Sequence, residues 1–236
     1  MTSGILYLIP NTLGDNSPAD VLPAHTIATA RRLDYFVVEH AKTARRFLSQ
    51  IKTEKPLQEL ELVELSEHTA AAELPKLLAP LLAGRDAGLL SEAGCPGVAD
   101  PGAELVALAH RRGVRVVPLV GPSSILLALM ASGMNGQGFA FRGYLPVEEG
   151  ARQKAIATLE GESVRLHQTQ IFIETPYRNH KLLNAVLAQC RPGTRLCIAT
   201  DLTLPTEWVV TRTVADWKAA TVPDLNKRPS IFLLQA

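Results

Sequence analysis

A chain of 236 residues, 47% hydrophobic and 20% charged, has an ordinary globular balance, and its length suits one large α/β domain or two small ones sharing a cleft. A formal net charge of +1 excludes bulk electrostatics as a sign of nucleic-acid binding and leaves that role to a local basic patch. The first ten residues are a short apolar run with no basic residue ahead of them. No apolar stretch reaches the ~20 residues that span a bilayer, and Cys95, Cys190 and Cys197 form no C-x-x-C pair; together these features predict a cytoplasmic protein with no signal peptide, membrane span, disulfide set or metal site.

Aliphatic or β-branched runs at 5–9, 35–38, 62–65, 87–90 and 114–119 read as strands buried on both faces. Between them, Leu74, Leu77, Leu78, Leu81 and Leu82 follow helical spacing before Gly84, with Pro80 expected to kink the helix, and 103–112 ends at Gly113 in the same way. Alternating strands and helices predict right-handed βαβ units and a mostly parallel N-terminal sheet. The glycine-rich stretch 133–143 reads as the connection between an N-terminal domain, 1–136, and a C-terminal one, 137–236. The second half shows a helix near 150–160, a strand at 171–174, and a helix with Leu182, Leu183, Val186 and Leu187 on one face. Strands follow at 196–199, 208–211 and 231–234, a mixed α+β pattern. The fold class is therefore α/β in two domains.

Ligands of open α/β sheets bind beyond the carboxyl ends of the strands. Three loops in such positions stand out. Pro10-Asn11-Thr12-Leu13-Gly14 follows the first strand and also reads as a simple turn. Residues 91–102, SEAGCPGVADPG, combine small residues that let a ligand reach the backbone with prolines that fix the loop. Asp100, ahead of Pro101, is placed to cap the next helix. Gly121-Pro122-Ser123-Ser124 opens an apolar helix, where two hydroxyls either cap it or hold a polar ligand. Neither a G-x-G-x-x-G fingerprint nor a phosphate-binding P-loop occurs, which favours a nucleoside ligand without a phosphate tail.

The run SEAGCPGVADPG resembles the S-[DE]-A-G-x-P-x-x-x-D-P-G stretch of the tetrapyrrole methylase superfamily. Other segments follow that family's order: the loop from Pro10 to Gly14, Glu39 with Thr43 and Leu48, Ser66-Glu67-His68, and GPSS at 121–124. The order continues through the linker Phe139-Ala140-Phe141-Arg142-Gly143-Tyr144-Leu145-Pro146, then FIETPYR at 172–178, then ATDLT at 199–203. Within the superfamily the chain is most similar to the members that methylate a cytidine ribose 2′-hydroxyl in small-subunit ribosomal RNA. Departures occur at His40 and Lys42, which replace an acidic residue and an arginine, at Tyr177, where histidine is usual, and at Thr200, another arginine position. The segment 227–231 lacks the family's Gly-Glu pair, and the chain stops about where the RNA-methylating members continue into a further segment.

The resemblance implies S-adenosylmethionine as cofactor and a homodimer as the assembly. It implies that Glu92, Ala93, Gly94 and Cys95 present backbone to the cofactor, with Val98 nearby, Ser123 and Ser124 bonding its polar groups and Pro10 closing the other side. Ala199 and Leu202 would enclose the adenosine. Methyl transfer from a sulfonium is a direct displacement that needs alignment, and a hydroxyl acceptor gains from a base. Glu174 is the first candidate base; its alternative is an ion pair with Arg178 that fixes the loop. His68 is the second, with a structural histidine as alternative. Arg178 is a candidate to hold a phosphate, and Lys42, Arg45 and Arg46 form a basic turn that either meets RNA or is a solvated face. Cys95 has nothing nearby to activate it as a nucleophile. The leading function is O-methylation of a ribose 2′-hydroxyl in rRNA. The alternatives are a methyltransferase for a tetrapyrrole or other small molecule, and a non-catalytic cofactor-binding module.

Overall fold

The structure, a computed structural model, describes residues 2–236. Two compact units meet between Ser123 and Ser124. The first contains β1 (Ile5–Ile9), α1 (Pro18–Val21), α2 (Ala24–Arg32), β2 (Tyr35–Val38), α3 (Ala41–Ile51), β3 (Glu61–Glu64), α4 (Leu74–Leu82), β4 (Ala87–Leu90), α5 (Ala103–Arg111) and β5 (Arg115–Pro118). Its five strands are all parallel, in the order β3-β2-β4-β1-β5.

The period of two along each strand divides the core of this unit. Leu6, Tyr35, Val37 and Leu89 pack with Leu74, Leu77, Leu78 and Leu81 of α4 and Leu105 and Ala109 of α5. Their neighbours Tyr7, Ile9, Phe36, Val38 and Leu90 pack on the other side with Ala44, Phe47, Leu48 and Ile51 of α3. Both faces are covered, so β2 and β4 are buried throughout and their sequences are unbroken apolar runs. Helix α4 continues two residues past Pro80.

At the opposite end of the sheet from the strands' carboxyl ends, Asp34 joins three segments. Its carboxylate accepts the Lys55 ammonium and the Arg85 Nε at 2.8 Å, while Arg85 also reaches Glu61. The Lys55 hydrogen bond, aided by Arg85, holds the Asp34 carboxyl below its ordinary value against the opposing effect of burial. A carboxyl depressed by folding contributes stability at neutral pH and loses it as pH falls through its folded value. Asp34→Asn is therefore expected to cost about 1 kcal/mol or less at pH 7, since the partners are partly exposed. The gap to the native protein should close as pH falls through the depressed Asp34 value in denaturant titrations.

The second unit contains α6 (Ser124–Ser132), β6 (Phe139–Tyr144), α7 (Glu149–Leu166), β7 (Thr169–Ile173), α8 (Asn179–Gln189), β8 (Arg195–Thr200), β9 (Trp208–Thr213), α9 (Val214–Ala219) and β10 (Ser230–Gln235). Its sheet has the order β6-β7-β10-β8-β9. Only β6 and β7 are parallel; β10 lies antiparallel to both β7 and β8, and β9 antiparallel to β8. Phe172 and Phe232 stack at 6.0 Å in a core with Ile156, Leu182, Val186 and Trp217, and the Trp217 indole donates to the Leu196 carbonyl.

The expected boundary after residue 136 lies one helix beyond the junction of the compact units, because α6 packs against β8, β9 and β10. The stretch 133–143, expected to be a connection, instead supplies the edge strand β6. An edge strand with mostly exposed or half-buried side chains carries no clear apolar alternation, and glycines mask the rest. Among the described residues, no helix is long and apolar enough to cross a membrane, and no cluster of three or more His, Cys, Asp or Glu is placed to hold a metal ion.

Candidate active site

In the first unit, the loops after β1, β4 and β5 meet at the carboxyl ends of adjacent strands. Asn11, 3% exposed, binds the first two together. Its backbone N–H donates to the Gly94 carbonyl at 2.9 Å, and its side-chain amide donates to the carbonyls of Ser91 at 3.2 Å and Glu92 at 3.0 Å. Pro10 lies against Gly121, where a Cβ would come within 2.7 Å of the proline Cγ. The Cys95 thiol donates to the Pro122 carbonyl. Pro10, Gly94, Cys95 and the segment leading to Ser123 are thus brought together at one end of the sheet. Burial, and then the charge of Asp100, push the Cys95 thiol up, consistent with an unreactive side chain.

Glu92, Ala93 and Val98 are exposed along the same loop. Gly94 adopts φ +66°, and a Cβ there would lie 3.3 Å from Leu13 Cδ2. The loop is pinned from behind by Asn11, with Gly94 buried and Glu92, Ala93 and Val98 exposed. Glu92 is braced sideways: its N–H donates to Glu39, and its carboxylate accepts the Thr43 hydroxyl at 2.9 Å. Ser124 begins α6.

Asp100 departs from its expected role. Helix α5 is capped by Gly102 at φ +132° and starts at Ala103, without a side-chain cap, because the Asp-Pro-Gly turn brings the backbone round before the helix begins. The Asp100 carboxyl instead accepts a hydrogen bond from Ser91. Burial first, then repulsion from Glu39, and to a lesser extent Glu92, raise its pKa to about 6, with the Ser91 bond opposing. His68 is at the surface, its side chain 87% exposed, with Glu67 3.6 Å away. Asn11 and Asp100 are the site groups that the sequence reading did not assign. Asn11 lies within a loop it singled out, but its partners are about 80 residues away in the chain.

In the second unit, β7 ends at Ile173 and Glu174 is the next residue. Its side chain is 2% exposed, accepting the Thr175 N–H at 2.6 Å and the Arg178 guanidinium at 2.7 Å. The hydrogen bond that Arg178 donates to Glu174, with the carboxylate's charge, raises the Arg178 pKa further. This is the loop-fixing arrangement named above as the alternative to a base. Ala199 and Leu202 are buried, and the turn between them places Asp201 at φ +52°. Asp201 accepts Arg228 Nε at 2.8 Å and the Thr206 hydroxyl at 2.9 Å, and Arg228 also donates to the Thr206 carbonyl.

Two departures from the family pattern meet here. Thr200 faces Ser230 across the β8–β10 ladder, and their hydroxyls are 3.0 Å apart. An arginine position and the segment that lacks the Gly-Glu pair thus lie on facing strands, where this chain has a neutral hydroxyl pair.

The chain matches the family described as tetrapyrrole (corrin/porphyrin) methylases over residues 19–217. It is 34% identical over 218 residues to a protein of Mesorhizobium japonicum named ribosomal RNA small subunit methyltransferase I, covering 91% of this chain and 70% of the relative. Among solved structures, the methyltransferase CobJ aligns with a TM-score of 0.65 at 17% identity, covering 99% of this chain and 94% of its own. A uroporphyrin-III C-methyltransferase from Thermus thermophilus, complexed with S-adenyl homocysteine, gives 0.56 at 19% identity, covering 98% and 97%. At those identities the two structures speak for the fold alone. With the relatives and the family match, the strand-end loops and their small-residue turn have one reading: the chain belongs to the tetrapyrrole methylase family and is an S-adenosylmethionine-dependent methyltransferase.

Proposed function

We propose that this chain O-methylates a ribose 2′-hydroxyl in small-subunit ribosomal RNA, as a cytoplasmic homodimer. The observation that carries the reading is the 34% identity, across 91% of the chain, to a relative named for methylating that RNA. In this reading Pro10, Glu92, Ala93, Gly94, Cys95, Val98 and Ser123 of the first unit hold the cofactor. When bound, the cofactor supplies an electrophilic methyl on a sulfonium. The protein's part is to align the acceptor oxygen with that methyl and to accept its proton. Exposed Lys42 and Arg45 on α3, beside the Arg46–Asp15 pair, offer phosphate contacts, and Arg178 adds a guanidinium beside the exposed Tyr177. RNA is read on unpaired nucleotides, where aromatic and guanidinium groups reach bases and backbone.

The deciding experiment incubates the protein with methyl-labelled S-adenosylmethionine and unmethylated small ribosomal subunits, followed by nuclease digestion. Label in a 2′-O-methyl nucleoside supports the reading. Label only in a small-molecule extract points to a tetrapyrrole-type acceptor, and cofactor binding without any transfer to a binding module. RNA affinity should fall with salt by about 0.7 log units per tenfold salt for each phosphate contact on single strands. Lys42→Ala/Arg45→Ala should flatten that slope by one to two contacts and leave cofactor affinity unchanged. An unchanged slope would remove α3 from the RNA interface.

A further inference from the structure

Of the four tyrosines, Tyr7 and Tyr35 belong to the core, whereas Tyr144 and Tyr177 are 58% and 74% exposed. The two exposed rings stand at the carboxyl ends of the parallel neighbours β6 and β7. Tyr144 is the last residue of β6, opposite Ile173 at the end of β7, and Tyr177 lies on the turn that follows β7. Between Phe141 and Tyr144 the ladder slips, with Gly143 at φ +64°, a bulge of the kind that re-aims a side chain at a sheet edge. The Tyr144 phenol acts on the charge of Arg178, so one guanidinium lies beside both rings. We propose that Tyr144, Tyr177, Arg178 and Lys227 form a landing site for unpaired RNA nucleotides, whose bases stack on the tyrosine rings while their phosphates meet the two cations. The inference rests on the RNA acceptor of the proposed function and adds how that RNA is gripped.

The groups are held in place from below. Buried Glu174 accepts Arg178 Nη2 at 2.7 Å and fixes the guanidinium, while the Arg178 side chain stays 36% exposed. A guanidinium oriented in advance loses less freedom when it takes a phosphate. Lys227 is exposed on the turn before β10, and its N–H donates to the Pro176 carbonyl at 3.1 Å, which seats it beside Tyr177. Asn179, fully buried at the start of α8, ties that turn down by donating to the carbonyls of Leu225 at 3.0 Å and Arg228 at 2.7 Å. The neighbouring carboxylates are occupied: Asp201 by Arg228, Asp224 by His180 and the Asn226 N–H, and Glu148 by the N–H groups of Gly150 and Ala151. Aromatic faces take any unpaired base, and cations interleaved with them follow the backbone. In a duplex the bases stack on one another and offer no face, so this surface selects single-stranded RNA. Tyr177 stands where the family's pattern has histidine, and Lys227 begins the segment that lacks its Gly-Glu pair. Two of the four residues are thus positions at which this chain departs from its family.

The probe is a short single-stranded oligoribonucleotide carrying one 2-aminopurine, with a duplex of the same sequence for comparison, and binding is measured without cofactor. Native protein should bind the single strand more tightly than the duplex and quench the fluorescent base, the signature of stacking. Tyr177→Ala should weaken single-strand binding at least about fivefold, the lower end of what one stacked base contributes, and remove part of the quenching. Tyr144→Ala should act in the same direction, whereas Tyr177→Phe, which keeps the ring, should stay within about twofold of native. Lys227→Gln should keep the quenching and lower the salt slope by about 0.7 log units per tenfold salt. These are surface positions, so the variants should melt with the native protein. Arg178 is left in place because its loss would strand the buried Glu174 carboxylate. On unmethylated small subunits the loss should appear in KM, with kcat little changed. The proposal is overturned by native affinity in Tyr177→Ala, by quenching that none of the variants alters, by losses equal for single strand and duplex, or by a loss confined to S-adenosylhomocysteine binding. Native KM for small subunits in Tyr177→Ala would sink the landing site and leave the proposed function standing. Native protein without affinity for any RNA would sink both.

Discussion

Gly94→Val is expected to cut the affinity for S-adenosylmethionine and S-adenosylhomocysteine at least about tenfold. Gly94 holds φ +66°, and the first added carbon would stand 3.3 Å from Leu13. A side chain in that backbone region costs about 1–2 kcal/mol, more when β-branched. The loop cannot relax freely, because Asn11 holds the carbonyls of Ser91, Glu92 and Gly94 on the far side. The strain therefore falls on the loop proposed above to hold the cofactor. Gly113→Val is the matched control: its φ is +70°, nothing lies within 4 Å of an added Cβ, and it follows α5, away from these loops. Calorimetry should show native affinity in the control and a weakened one in Gly94→Val. Equal affinity in both would remove this loop from the cofactor site.

A second large effect is expected where Thr200 faces Ser230. Both are buried, at 0% and 6% exposure. Thr200→Arg restores the family's residue without its partner and buries an unpaired charge. An uncompensated buried charge costs about 3–5 kcal/mol, which in a chain of this size lowers the melting temperature by roughly 10 °C. Ser230→Glu alone should cost a comparable amount. The double variant should recover at least half of the summed loss, since the two charges then lie directly opposite each other in the antiparallel register. If the two losses simply add, the facing departures are independent and not a coupled exchange.

The parts of the fold that could be read from sequence are those whose side chains all point into the core. Tyr35–Val38 and Ala87–Leu90 are buried residue by residue, so the apolar runs coincide with the strands. Helix α2 shows the opposite case. Its buried positions are Thr26, Thr29 and Ala30, small or polar groups that leave no apolar stripe to see. In the site, Glu174 and Arg178 were legible as a pair because four residues separate them. The clamp by Asn11 was not, because a loop's partners across the sheet leave no mark on its own sequence. Asp100 was misread because Asp-Pro is a good local cap, and only the path of the backbone to Gly102 shows that the carboxyl faces elsewhere.

The strand order of the second unit has a consequence for synthesis. Among the described residues β10, the last strand in sequence order, lies between β7 and β8 and is the only strand bonded to both. Until it leaves the ribosome, β6–β7 and β8–β9 are two separate ribbons whose facing edges have no partner. The first unit has all five of its strands once Pro118 has emerged. At translation rates of about 5–20 residues per second, the edge of β7, complete at Ile173, waits roughly 3–12 s for β10, which ends at Gln235. That interval, with exposed strand edges on the nascent chain, is when a chaperone would be most useful to this protein and when truncated products would be most prone to aggregate.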